Sequence, residues 1–355
     1  QRPNRSHRDV GTKKEIVHRR PTFDMKTPTN NSRIVGLMQS QGSLVTLLAL
    51  CAVASVCFPH FRTPENLANV FKQVSFSGVV SLGMAFVILS GGIDLSVGSI
   101  AAVAGVLAAR LSGQFGPIVV LVPVFVGVCL GAINGTMVTR MKITPFIATL
   151  AMMLGARGLA LKLAGPGGES IKSNTAGWFS QVAKGDILGI PYRGILFILA
   201  LGLAIIISKR TSFGRSIYAI GGNEEAARMM GLNVNRSKML VYMICGGCAA
   251  LAGTLLASMV DSGQPTAAVG WELTAIAAVV IGGTSLCGGI GKMSHTLYGV
   301  LILGVISNII TQIATSTSLK LTALDTNVVT GTLLLVVVLL QSRIANQTST
   351  VGGVA

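Results

Sequence analysis

Apolar runs of about fifteen to twenty residues recur about ten times along the chain, more than a soluble core of 355 residues could bury. Such a chain folds in a bilayer. Charged residues make up 11% of it, against roughly 25% in soluble domains. The 43 glycines suit helices that pack closely without a hydrophobic driving force between them. Spanning backbone must satisfy its own hydrogen bonds, so it is helical or a closed barrel. Gly299 to Ile313 lacks the alternation of a barrel strand, so the fold class is an all-α integral membrane protein.

Approximate spans fall at 44–60, 73–90, 97–113, 117–138, 144–164, 194–208, 239–259, 267–284, 295–313 and 326–341. Ten crossings place both termini on one side. The formal net charge of +16 invites a nucleic-acid reading, but the basic residues sit in particular loops. Lys209, Arg210, Arg215, Arg228, Arg236 and Lys238, with Arg140 and Lys142, fall on the same side as the amino terminus, which the positive-inside rule makes cytoplasmic. The basic tail also lacks interleaved aromatics, so no nucleic-acid partner is expected.

The expected organisation is a flexible basic cytoplasmic tail over 1–43, a transmembrane domain over 44–341 and a short cytoplasmic tail over 342–355. The tail carries almost no apolar run and is no signal peptide; the stretch from Leu44 reads as a retained first helix. Cys245-Gly-Gly-Cys248 has a redox or zinc spacing, yet no second pair or nearby His completes a metal site, and both thiols read as small packing residues. No metal is expected.

Charge at membrane depth costs on the order of 2.5–3.5 kcal/mol per residue on insertion scales, so each such residue needs an account. Arg110 and Lys162 lie near helix ends and can snorkel. Arg157 and Glu272 are less easily dismissed. Asp94 lies in Ser90-Gly-Gly-Ile-Asp-Leu-Ser-Val-Gly-Ser99, where Gly91 and Gly92 permit a sharp bend and Asp94 and Ser96 suit a cap for the next helix. That break reads either as a tight turn or as a substrate gate. A second glycine break, Gly282-Gly-Thr-Ser-Leu-Cys-Gly-Gly-Ile-Gly291, fails the Walker spacing, because Leu286 and Met293 stand where Gly and Ser or Thr are required. ATP, if it drives this chain, is hydrolysed elsewhere.

The inside loop over 209–238 contains Gly221-Gly-Asn-Glu-Glu-Ala-Ala-Arg-Met-Met-Gly231. Asn223 can cap a short helix, Glu224 and Glu225 suit its positive end, and Gly231 can stop it. Ala226, Ala227 and Arg228 complete a helix that is either a solvated connector or shaped for docking into a groove.

Here the chain resembles the permease subunits of ribose-type carbohydrate ABC importers. Glu225-Ala-Ala with Gly231 downstream looks like their coupling helix, and Gly-Gly-Ile-Asp-Leu-Ser-Val-Gly-Ser at 91–99 is similar to their signature. Supporting pieces are Asn134-Gly135 before Pro145-Phe-Ile-Ala-Thr-Leu150, Arg157-Gly158 and Gly282-Gly-Thr-Ser-Leu-Cys-Gly-Gly289. Lys292, Met293 and His295 depart from the small residues usual after the second break. The resemblance implies a multi-pass inner (plasma) membrane subunit without a catalytic site. It implies a second permease subunit, cytoplasmic ATPase subunits that hold ATP and Mg, an extracytoplasmic solute-binding protein and surrounding lipid. This chain itself would bind no cofactor. The coupling residues are then Glu224, Glu225, Ala226, Ala227, Arg228 and Gly231. The gate and solute path are expected at Gly91, Gly92, Asp94, Ser96, Asn134, Thr149, Arg157, Gly282 and Gly283. With two Trp and four Tyr there is little for a tight sugar platform, which leaves high-affinity recognition to the external binding protein. A secondary transporter driven by an ion gradient is the rival reading, with only Asp94 and Glu272 as coupling carboxylates.

Overall fold

The computed structural model describes residues 41–114, 116–168, 170–173, 177–187 and 190–316, with 331, 332 and 335. Twelve α-helices run through these residues: α1 (Gly42–Cys57), α2 (Pro64–Leu89), α3 (Val97–Leu111), α4 (Leu121–Thr139), α5 (Pro145–Ala164), α6 (Trp178–Lys184), α7 (Tyr192–Arg210), α8 (Ser212–Gly222), α9 (Glu224–Met229), α10 (Val234–Val260), α11 (Trp271–Ile281) and α12 (Met293–Ser316). Four two-residue strands, β1 (Ile171–Lys172), β2 (Asp186–Ile187), β3 (Ile190–Pro191) and β4 (Ser262–Gly263), form two small antiparallel pairs, β1 with β4 and β2 with β3. The chain is thus an all-α membrane protein. Helices α2, α4, α5, α7, α10 and α12 are long and apolar enough to cross a bilayer, and α1, α3 and α11 are shorter apolar helices. The span expected at 326–341 lies outside the described residues apart from 331, 332 and 335, and so do both tails apart from 41–43.

Helix α10 is the hub of the bundle, packed by α2, α3 and α4. Glycines let the backbones meet. A Cβ at Gly127 would stand 2.5 Å from the Gly246 carbonyl oxygen, one at Gly131 2.2 Å from that of Tyr242, and one at Gly253 2.0 Å from that of Ala101. These distances exclude any side chain, so close helix approach replaces the hydrophobic force that lipid cannot supply. Around this seam α2 buries Val79, Val80, Met84 and Ile88, and α3 buries Ile100 and Val106. All six cysteines are free; Cys245 is buried on α10, in keeping with a packing role.

One expected span differs in kind. The sequence predicts a helix over 267–284, but α11 covers only eleven residues, about 16 Å at 1.5 Å per residue, half of the roughly 30 Å hydrocarbon core. The other half of that crossing is non-helical backbone over 261–270, strand only at β4 and turns from Pro265 to Gly270, where the Ala267 amide donates to the Gln264 carbonyl at 3.1 Å. It runs back along α3: Gly263 lies against Val106, and the Ala268 carbonyl lies over Gly98, eight helical residues or about 12 Å further along. Pro265 and Gly270, the latter at φ +82°, keep this stretch out of the helix.

The two ends of the bundle are built differently. At the end where α3 and α10 finish, Arg110 Nη1 donates to the Leu163 carbonyl at 2.8 Å, and β1 pairs with β4. The Lys184–Asp261 ion pair and the Ser258 hydroxyl, which bonds the Phe179 carbonyl, fasten α6 to α10 there. At the opposite end lie α8 and α9, the Ser90–Ser96 break and the second glycine break.

Candidate functional site

Helix α9 stands at the surface as the sequence predicts. The Asn223 Oδ1 atom accepts from the Ala226 amide at 2.9 Å, and Gly231, at φ +81°, follows the helix end. Glu224 is pinned, accepting from Lys238 at 2.5 Å and from Arg228 at 2.9 Å. The Lys238 hydrogen bond first, then the Arg228 guanidinium, holds its carboxyl below the ordinary value. Ala227 is fully buried against Ile220 and Val234, whereas Glu225, Ala226 and Arg228 face out with Met229 (81% exposed) and Met230 (69%). One small residue anchors the helix, and the rest is presented outward.

The helix that precedes α9 was not foreseen. Within the segment read as a loop over 209–238, α7 continues to Arg210 and α8 occupies Ser212–Gly222. Thr211 caps it by accepting from the Gly214 amide at 3.0 Å, and Gly214, Ile217 and Ile220 form its buried face. That three-residue spacing was the available signal. Burial pushes the Tyr218 hydroxyl of α8 up, with the Met293 amide acting against the shift.

Where α8 meets α9, three glycine pairs from distant parts of the chain converge. A Cβ at Gly221 would stand 1.9 Å from the Leu89 carbonyl oxygen and 2.4 Å from the Gly289 nitrogen, and one at Gly288 2.8 Å from the Gly91 nitrogen. The Gly289 amide donates to the Leu89 carbonyl at 3.0 Å. Gly91, Gly288 and Gly289 all have positive φ, at +77°, +86° and +71°. Both glycine breaks therefore close on each other under the root of α9. Gly282 abuts the His295 carbonyl, 2.6 Å from where its Cβ would be, and Gly283 turns at φ +90° in open space. Met293 is buried after this break and Lys292 is exposed.

The remaining predicted residues fall into two groups. Asp94, Ser96 and Asn134 form one buried cluster, all 0% exposed. Asp94 Oδ1 accepts from the Ser96 amide at 2.9 Å and hydroxyl at 2.6 Å, and Asn134 Nδ2 donates to Ser96 Oγ at 2.8 Å. Asp94 therefore closes its own turn, and neither it nor Ser96 caps the first turn of α3, where no side-chain cap bond is made. Gly92 presses close to the Tyr242 hydroxyl, 2.7 Å from where its Cβ would be. Thr149, also 0% exposed, bonds only its own helix, donating to the Pro145 carbonyl at 2.8 Å.

Arg157 stands apart from that cluster. Half-buried on α5, it donates from Nη1 to the Pro265 carbonyl at 2.7 Å and the Ala267 carbonyl at 2.8 Å, clamping the turns that lead into α11. Glu272 acts on it electrostatically and accepts from the Gly270 amide at 3.2 Å.

A glycine-seamed helical bundle, with two glycine breaks gathered under one outward-facing helix, defines a multi-pass membrane protein. Residues 66–339 match the family described as the permease component of branched-chain amino acid transport systems, and the chain belongs to that family. It is 41% identical over 289 residues to the ribose import permease protein RbsC of Haemophilus influenzae, covering 80% of this chain and 89% of that protein. Against the Bacillus subtilis protein of the same name the identity is 40% over 324 residues, 91% of this chain and 98% of the relative. The L-arabinose transport system permease protein AraH of Escherichia coli is 37% identical over 275 residues, 75% of this chain and 81% of AraH.

Proposed function

We propose that this chain is the membrane-spanning subunit of an ABC importer that carries a pentose or a similar sugar across the inner membrane. The observation that carries the reading is the geometry of α9: a docking face of Glu225, Met229 and Met230, rooted on the junction of both glycine breaks. The ribose and arabinose systems named for its relatives support a sugar as cargo.

In this scheme ATP and Mg act on partner ATPase subunits docked at Glu224, Glu225, Ala226, Ala227, Arg228 and Gly231. Their closure pushes α9, and the junction passes the movement to α2 and to the second break, switching access between the two ends. Gly91, Gly92, Gly282 and Gly283 are the bending points. Asp94, Ser96, Asn134 and Thr149 shape the path wall from inside the protomer, and Arg157 faces the path. Ten crossings with cytoplasmic termini, a basic tail over 1–43 and a short tail over 342–355 flanking the domain over 44–341, a second permease subunit and an external solute-binding protein complete the assembly.

Reconstitution of this permease with its ATPase and binding protein in vesicles tests the scheme. ATP-dependent ribose uptake is expected, and Glu225→Lys abolishes it while leaving membrane insertion and thermal stability unchanged. Uptake by the permease alone, driven by an ion gradient, refutes the scheme.

A further inference from the structure

Non-helical backbone at membrane depth needs a reason. The N–H and C=O groups that its turns leave unpaired find no partner in hydrocarbon, so such backbone persists only where protein buries it or where it lines a water-filled cavity. Residues 264–270 are half of a crossing, yet Gln264, Thr266 and Val269 are exposed, Val269 at 71%. Among the described residues the amides of Thr266 and Val269 have no partner. The stretch is also strained and held in place. Ala268 adopts φ +58°, a region that side chains avoid, and Arg157 fixes the carbonyls on either side of Thr266.

We infer that 264–270, with Arg157, is the solute-contacting wall of the transport path, and that it selects uncharged polyhydroxylated solutes. This inference rests on the importer reading above. The chemistry on the open face is that of a hydroxyl-rich ligand: the Gln264 amide and Thr266 hydroxyl donate and accept, and the two free backbone amides donate. Both clamp bonds leave from Nη1 of Arg157, so its other guanidinium N–H groups remain to donate to a hydroxyl oxygen. Glu272, in the first turn of α11, balances the Arg157 charge, which leaves the wall polar without favouring an anion or a cation. A weak, multi-donor wall of this kind suits a solute that must leave as readily as it enters.

The test introduces Gln264→Cys and Thr266→Cys singly into a cysteine-free version of the permease, assembled with its ATPase and binding protein in vesicles. A membrane-impermeant methanethiosulfonate is the probe, and Leu203→Cys, on the exposed apolar face of α7, is the lipid-facing control. Both wall positions are expected to label while the control does not, and D-ribose with its binding protein slows labelling where L-glucose does not. Gln264→Leu is expected to raise the KM for ribose uptake several-fold. Labelling by a lipid-soluble maleimide alone, no labelling at all, or labelling that ribose leaves unchanged each overturns the assignment. If the parent transports ribose on ATP and these positions fail, the wall is elsewhere and the importer reading stands; if the parent does not transport, the importer reading itself fails.

Discussion

Gly221→Ala and Gly222→Ala are neighbouring changes of one methyl group with opposite expected outcomes. At Gly221 the new Cβ would enter the space of the Leu89 carbonyl oxygen, at 1.9 Å, and of the Gly289 nitrogen, at 2.4 Å, both backbone atoms that no rotamer change can move aside. Overpacking of this kind costs about 1–3 kcal/mol, and the shift also breaks the Gly289–Leu89 hydrogen bond, leaving buried groups unpaired at roughly 1–3 kcal/mol more. The two penalties share one displacement, so a total of about 2–4 kcal/mol is expected. A methyl at Gly222 meets nothing within 4 Å and replaces a helical glycine, which favours the folded chain by roughly 0.5–1 kcal/mol. The assay is a thermal melt of each purified variant in detergent, paired with ATP hydrolysis and uptake in vesicles. Gly221→Ala should melt well below the parent and, where it folds, hydrolyse ATP without moving solute. Gly222→Ala should melt at or slightly above the parent and transport normally. Equal melting points for the two variants would refute the claim that the three glycine pairs meet beneath α9.

At the buried cluster, Asp94→Ala strands the Ser96 amide and the Ser96 hydroxyl proton, while Asn134 keeps its bond to Ser96 Oγ, and a loss of roughly 2 kcal/mol or more is expected in the same melt, whereas Asp94→Asn, which keeps an acceptor at Oδ1, loses less. An Ala variant as stable as the parent would mean that the cluster contributes nothing. At α9, Glu224 has its folded value depressed by Lys238 and Arg228, so its contribution is complete above the ordinary 4.5 and fades as pH falls through the lower folded value. Glu224 and Arg228 are 42% and 50% exposed, although Lys238 is 15%, so the effect is small, roughly 0.2–1 kcal/mol, and salt-sensitive. Melts from pH 6 to 3 should show a shallower acid decline in Glu224→Gln than in the parent, and parallel curves would remove Glu224 from the account.

Much of the fold is readable in the chain because the bilayer imposes one rule on every span, and an apolar run such as Met239 to Met259 is long enough to cross it as a helix. The cap of α9 is readable for a similar reason: Asn223, Glu224 and Glu225 act on the helix that begins beside them. The glycine junction is different. Gly91, Gly221 and Gly288 each announce a bend, but their meeting depends on how α2, α8 and α11 end at one level of the bundle, which local spacing does not encode. The non-helical wall shows the limit most sharply. Ala267, Ala268 and Val269 are apolar, and hydropathy measures only how far a residue prefers to leave water; helix and turn meet that preference equally well. What separates them is the hydrogen-bond demand of the backbone. Helix supplies it internally, whereas this run of turns supplies only part, for the Ala267 and Trp271 amides, and the Pro265 and Ala267 carbonyls are supplied from outside by Arg157, twelve residues into α5 and more than a hundred residues away in the chain. A positive charge at membrane depth and an interrupted apolar run are thus two halves of one feature: the arginine is tolerated because the broken span has carbonyls to offer, and the break is tolerated because the arginine reaches them.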